Sequence, residues 1–270
     1  MRNFVLRTIS SIFLVSFAFA VVYVFPSWMF CLFAAIFVAF GQLEFFEMVE
    51  KKNVFVYKYF GTVAGALIPV VIYVGNSFPR MTNLEPILIV GASLFTLTLQ
   101  FLRRDNAKDH LVSTALTMFS LMYIGWFFSF LVKIRLLDNG ANLALFLILV
   151  TKSADMGAYA VGSLMGRHEL IPRISPNKTK EGTLGGVLIS VLTAMVLGKI
   201  LTHYPAAHLV VLGGAVAVLG QIGDLAESLI KRDCGVKDSG VYFAGIGGML
   251  DLVDSLLFTA PFFYFYVRSL

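Results

Sequence analysis

Charge is scarce in this sequence. Only 14% of its 270 residues are Asp, Glu, Lys or Arg, against 58% hydrophobic, and mean hydropathy is +0.84. A soluble domain carries far more polar surface than that. Cysteine is nearly absent. Cys31 and Cys234 cannot build a disulfide framework, and neither has metal-ligand company, so both read as ordinary residues of a reducing compartment. Period-two alternation is missing, which argues against a transmembrane β-barrel. No internal repeat and no low-complexity tract is present. The Gly-x-x-x-x-Gly-Lys spacing of a Walker A loop is missing too. The four histidines, His110, His168, His203 and His208, fall in loops or at span ends and receive no chemistry.

What the chain has in abundance is long apolar runs. Nine are long enough to cross a bilayer, at about 7–25, 28–48, 56–75, 84–102, 111–132, 141–164, 183–202, 207–230 and 249–267. The fold class read from them is all-α: a polytopic integral membrane protein of about nine transmembrane helices. Met1 to Pro26 mimics a signal peptide, with a basic start, an apolar run and Ala18-Phe19-Ala20. The apolar stretch runs on past Ala20 and more spans follow, so it is read as the first membrane helix.

Lys and Arg outside the spans are unevenly placed. One side holds Arg2, Lys51, Lys52, Arg103, Arg104, Lys108, Arg167, Arg173, Lys178, Lys180, Lys231, Arg232 and Lys237. The other holds Arg80, Lys133, Arg135 and Arg268. The positive-inside rule then puts the N-terminus in the cytoplasm and the C-terminus outside the inner membrane. A basic inner face also suits anionic headgroups. Residues 1–135 read as scaffold helices, and residues 136–270 as catalytic helices and cytoplasmic loops of one membrane domain.

Against this apolar background a few charges stand out. Asp224, Glu227, Ser228 and Lys231 are spaced i, i+3, i+4, i+7 and share one helical face. Asp251, Asp254 and Ser255 share a face on the next helix. An ionisable group at the centre of a membrane helix costs about 2.5–3.5 kcal/mol on insertion scales, so such groups are rarely idle. Two acidic faces that meet make a hard-oxygen cage for a divalent cation. Lys152 and Asp155 lie inside the sixth run at i, i+3 and read either as a local ion pair or as part of a site. Gly157, Ala158, Gly162, Ser163 and Gly166 form a small-residue face for close helix packing. Glu44 and Glu47 share a face at the end of the second run, where function and ordinary helix-end chemistry are both open.

Two loops complete the pattern. Residues 165–182 contain Ser175-Pro176-Asn177-Lys178-Thr179-Lys180 just before a helix that starts near Glu181. Hydroxyls and lysines at a helix entrance suit an oxyanion, and a plain basic inner loop fits the composition equally well. Residues 231–248 carry Lys231-Arg232, Lys237-Asp238 and Gly247-Gly248, and lead into the helix with Asp251 and Asp254.

The run from Gly223 to Ser255 resembles the signature of the CDP-diacylglycerol synthase, or phosphatidate cytidylyltransferase, family. Its elements are Ser228, Lys231-Arg232, Lys237-Asp238, Gly247-Gly248, Asp251 and Asp254. Asp155, Ser175, Pro176, Lys178 and Thr179 resemble a second block of the family, and together the likeness covers about residues 151–260. Two departures stand out. Ile246 occupies a position where the family usually has His, and Leu252 one where it usually has Arg.

The resemblance implies transfer of the cytidylyl group of CTP to phosphatidic acid, giving CDP-diacylglycerol and pyrophosphate by metal-assisted in-line attack. It implies Asp224, Lys231, Asp251 and Asp254 as catalytic residues, and Asp224, Glu227, Asp251 and Asp254 as metal ligands. Ser175, Lys178, Thr179, Ser228, Arg232, Lys237 and Asp238 would bind substrate, with Asp155 a further candidate. The cofactor would be Mg2+, with a second cation left open. The partners would be CTP, phosphatidic acid and membrane lipid, with no nucleic acid and a homodimer left open; the active site would face the cytoplasm. Two rival readings stand beside this one, a cation-coupled transporter and another lipid phosphotransferase such as a polyprenol kinase.

Overall fold

A computed structural model describes residues 19–103, 109–240 and 247–270. Most of the expected first span (7–25), together with Arg2, Arg7, Arg104, Lys108 and Ile246, lies outside those residues. The described chain is a series of helices: α1 (Ser27–Glu50), α2 (Lys58–Ser77), α3 (Leu84–Leu102), α4 (His110–Ser120), α5 (Phe127–Arg135), α6 (Gly140–Met165), α7 (Lys180–Leu201), α8 (Ala206–Asp233) and α9 (Met249–Arg268). A π-helical turn, Leu121–Trp126, joins α4 to α5 into one continuous span. Among the described residues eight spans are long and apolar enough to cross a membrane, and each overlaps one of the nine expected runs. The protein is an all-α polytopic membrane protein. Lipid offers no hydrogen bonds, so each spanning backbone must satisfy its own, and helices do so segment by segment.

The expected loop at 165–182 is more ordered than its composition suggests. It holds a two-stranded antiparallel hairpin, β1 (Glu169–Ile171) and β2 (Ser175–Thr179), with Glu169 opposite Thr179 and Ile171 opposite Ser175. Thr179 caps α7: its Oγ1 accepts from the Gly182 N–H at 3.1 Å.

The chain forms two compact units. One is Met1–Leu136 with Cys234–Leu252; the other is Leu137–Asp233 with Val253–Leu270. In the first unit the core is aromatic and aliphatic, with Phe45, Phe46, Met48, Phe130 and Ile134 fully enclosed. Polar side chains within it are tied down locally. Thr96 and Ser93 bond to carbonyls one turn back on α3, at 2.7 Å each. Gln42 donates to the Ser120 hydroxyl at 3.0 Å.

In the second unit the backbones of α6 and α7 come very close. A β-carbon at Gly182 would lie 2.7 Å from the Ala158 carbonyl oxygen, and one at Gly186 would lie 2.9 Å from that of Ala154. Only small residues permit this approach. The opposite face of α7 exposes Leu184, Leu188, Leu192, Val196 and Ile200, spaced four apart. Such a stripe suits lipid tails.

Candidate active site

The second unit gathers most of the charges singled out in the sequence. Helix α8 carries Asp224, Glu227, Ser228 and Lys231 on one face. Helix α9 carries Asp254 and Ser255, α6 carries Lys152 and Asp155, and the hairpin delivers Lys178 to the entrance of α7. What lets α8 and α9 meet is a glycine: a β-carbon at Gly223 would fall 2.6 Å from the Asp254 carbonyl oxygen. The neighbouring side chain, Asp224, is thereby brought against Asp254.

Asp224, Glu227 and Asp254 each offer a carboxylate oxygen, and these oxygens lie within 4.8 Å of one another. Glu227 is fully buried and Asp254 is 7% exposed. Three carboxylates this close repel strongly in a medium of low dielectric. Lysines balance them. Lys178 Nζ stands 2.6 Å from Asp224 Oδ2, and Lys231 Nζ stands 2.6 Å from Glu227 Oε2. The second pair is an i, i+4 contact along α8, as its spacing predicts. Lys152 Nζ donates to Asp155 Oδ2 and to Ser255 Oγ, both at 3.1 Å. Hard oxygen donors with cations beside them suit phosphate groups and the divalent ions that accompany them.

The sequence pattern of the cytidylyltransferase family matches residues 5–270. The chain belongs to the cytidylyltransferase family. It is 42% identical over 146 residues to a phosphatidate cytidylyltransferase of Bacillus subtilis, covering 53% of this chain and 54% of that one. A phosphatidate cytidylyltransferase of Staphylococcus saprophyticus is 34% identical over 226 residues, 81% of this chain and 84% of that one. An uncharacterized protein of Escherichia coli K12, YnbB, is 39% identical over 153 residues, 57% of this chain and 51% of its own length. The aligned stretch thus spans about half the length of the Bacillus and Escherichia relatives.

The remaining candidates of the cytidylyltransferase signature are placed as follows. Ser228 is buried on α8 beside Glu227, and Ser175 and Thr179 are half-buried on β2. Arg232 donates from Nε to the Ile174 carbonyl at 3.4 Å and so holds the tip of the hairpin. His168 and Glu181 clasp its base: Nδ1 and Oε1 are 2.5 Å apart, and Oε2 accepts the Arg167 and His168 N–H groups at 3.1 and 3.2 Å. Lys237 and Asp238 are exposed in the first unit. Leu252, where Arg is usual, is half-buried.

Asp251 is not one of the three gathered carboxylates. In the first unit its Oδ2 accepts from the Gly248 N–H at 2.8 Å, the Ser239 hydroxyl at 3.0 Å and the Ser239 N–H at 3.3 Å. Its neighbour there is Glu44. Glu44 Oε1 accepts from the Met249 N–H at 2.6 Å; Oε2 accepts from the Leu250 N–H at 2.8 Å and, at 2.9 Å, shares the single Ser239 hydroxyl proton with Asp251. The first turn of α9 therefore receives carboxylates at its orphan amides, the favourable end of the helix dipole. Sequence reasoning left Glu44 undecided and passed over Ser239. No local spacing joins them, since Ser239 and Glu44 lie 195 positions apart.

Proposed function

We propose that this chain is a phosphatidate cytidylyltransferase. It transfers the cytidylyl group of CTP to phosphatidic acid and releases pyrophosphate. The observation that carries this reading is the trio Asp224, Glu227 and Asp254, two of them buried, with Lys178 2.6 Å from Asp224 and Lys231 2.6 Å from Glu227. Family membership and the names of the Bacillus and Staphylococcus relatives support the choice of substrates.

The donor set fits a hard divalent cation of the Mg2+ class, because all three ligands are carboxylate oxygens. Asp224, Glu227 and Asp254 would hold it. Asp251 enters the ligand set on the motif rather than on its contacts. When bound, such a cation, and a second one where present, neutralises charge on the nucleotide phosphates.

The lipid phosphate oxygen attacks the α-phosphorus of CTP. The bond from that phosphorus to the oxygen bridging the β-phosphate breaks, and pyrophosphate leaves. A phosphate monoester is already largely ionised at neutral pH, so no side chain need remove a proton. The barrier is electrostatic, since nucleophile and electrophile are both anionic. Lys178, Lys231 and Arg232 offset that charge, and the family motif gives Lys237 the same role. Ser175, Thr179 and Ser228 orient phosphate oxygens through their hydroxyls. The uneven Lys and Arg distribution supports an active site facing the cytoplasm at the inner membrane, with the N-terminus in and the C-terminus out. Among the described residues no feature favours the transporter reading.

The test is an assay of the purified protein in detergent with phosphatidic acid and each nucleoside triphosphate in turn. CTP with Mg2+ should release pyrophosphate far faster than the other triphosphates, and chelation should abolish release. Equal rates with all four, or release without phosphatidic acid, would overturn the reading.

A further inference from the structure

Lys152 lies midway along α6, in a span of high hydropathy. A cation at that depth is costly and needs a reason. Its i, i+3 partner Asp155 supplies part of one, at 3.1 Å. The same ammonium also donates to Ser255 Oγ at 3.1 Å, on α9 and 103 positions away. Ser255 Oγ donates in turn to Asp155 Oδ2 at 3.1 Å, which closes a three-membered ring. The backbone N–H of Ser255 donates to Asp254 Oδ1 at 2.5 Å. The ring is therefore joined through one residue to a carboxylate of the acidic trio. Asp254 and Asp224 also lie close enough to feel the Lys152 charge. A local ion pair would need none of these links.

We propose that Lys152 is a positioning residue of the acidic site: through Ser255 it fixes the Asp254 carboxylate, and its charge sets how tightly Asp224, Glu227 and Asp254 hold a divalent cation. The kinetic part of this proposal rests on the cytidylyl-transfer reading; the binding part does not. Within a low-dielectric site, a positive charge facing the ligands opposes a second cation. Its removal tightens the hold on the metal and loosens the geometry of Asp254.

The probe is Mn2+, a paramagnetic cation that takes the same hard ligands, titrated into detergent-purified protein and followed by electron paramagnetic resonance. Lys152→Met should lower the Mn2+ dissociation constant by about threefold or more. It should also cut kcat by about 10-fold or more, with the KM for CTP changed less than about threefold, as for a lost positioning contact. Lys152→Arg keeps the charge and should leave the Mn2+ constant within about twofold of the parent. If Lys152→Met extracts poorly, Lys152→Gln makes the same charge change. An unchanged or weaker Mn2+ constant in the neutral variants, with the parent binding normally, would overturn the proposal. So would a Lys152→Arg variant that binds like Lys152→Met. Absence of cytidylyl transfer by the parent protein would instead overturn the proposed function, and the Mn2+ result would still decide the role of Lys152.

Discussion

Glu44 and Glu47 stand on the same face of α1, one turn apart, yet their surroundings differ sharply. The perturbation is truncation of each to Ala. Glu44 is fully buried and accepts three hydrogen bonds, from the Met249 N–H, the Leu250 N–H and the Ser239 hydroxyl. Ser239 keeps a second acceptor in Asp251. The two amides do not fare so well, and each stranded donor costs about 1–3 kcal/mol. The desolvation cost that Glu44 itself pays in the parent offsets part of the sum. A net loss of about 3 kcal/mol is expected. At roughly 2–4 °C per kcal/mol for a chain of this size, Tm should fall by about 6–12 °C. Glu47 is 49% exposed at its side chain and pairs with Lys58 at 3.1 Å. An exposed pair contributes about 0.2–1 kcal/mol, so Glu47→Ala should shift Tm by no more than about 4 °C. Thermal unfolding of both variants in one detergent, followed by intrinsic fluorescence, makes the comparison. A Glu44→Ala variant that melts as high as Glu47→Ala would refute the claim that Glu44 anchors the start of α9.

Further outcomes follow from the site and from the placement of the loop charges. Asp254→Asn should lower turnover by at least ~100-fold with Mg2+ while the protein still folds, because a buried ligand of the trio is neutralised; near-parental rates would remove Asp254 from the metal set. Lys178→Ala, which loses a cation 2.6 Å from Asp224, should cut kcat/KM by about 10-fold or more, as for a charge-assisted contact of ~1.5–3 kcal/mol. Lys180→Ala, exposed at the start of α7, should change it less than about threefold, and equal effects at fixed ionic strength would mean the loop acts only by bulk charge. A cysteine placed at Leu270 should react with an impermeant reagent from outside the cell; labelling only from the cytoplasm would reverse the topology.

Much of the fold is legible in the sequence because lipid is a severe solvent. Spans must be long, apolar and helical, so eight expected runs reappear as helices with ends shifted by a few residues. The hairpin Glu169–Thr179 leaves no such trace. Pro172, Pro176 and a polar composition read as a loop, and strands this short show no alternation. The π-helical turn at Leu121–Trp126 is equally silent, because the apolar run continues through it. In the site, the Asp224, Glu227 and Lys231 face follows directly from 3.6-residue periodicity. Asp251 and Asp254 read alike, one turn apart. Only their surroundings separate them, and those depend on residues far away in sequence: Glu44 and Ser239 near Asp251, Lys152 and Asp224 near Asp254.

The central claim is transfer of a nucleotidyl group rather than a terminal phosphate. The most direct measurement incubates the purified protein with phosphatidic acid, Mg2+ and CTP labelled at either the α- or the γ-phosphate, then extracts the lipid. Label should enter a CDP-diacylglycerol product from α-labelled CTP and not from γ-labelled CTP. Label entering lipid from the γ-phosphate, or from neither, would contradict it.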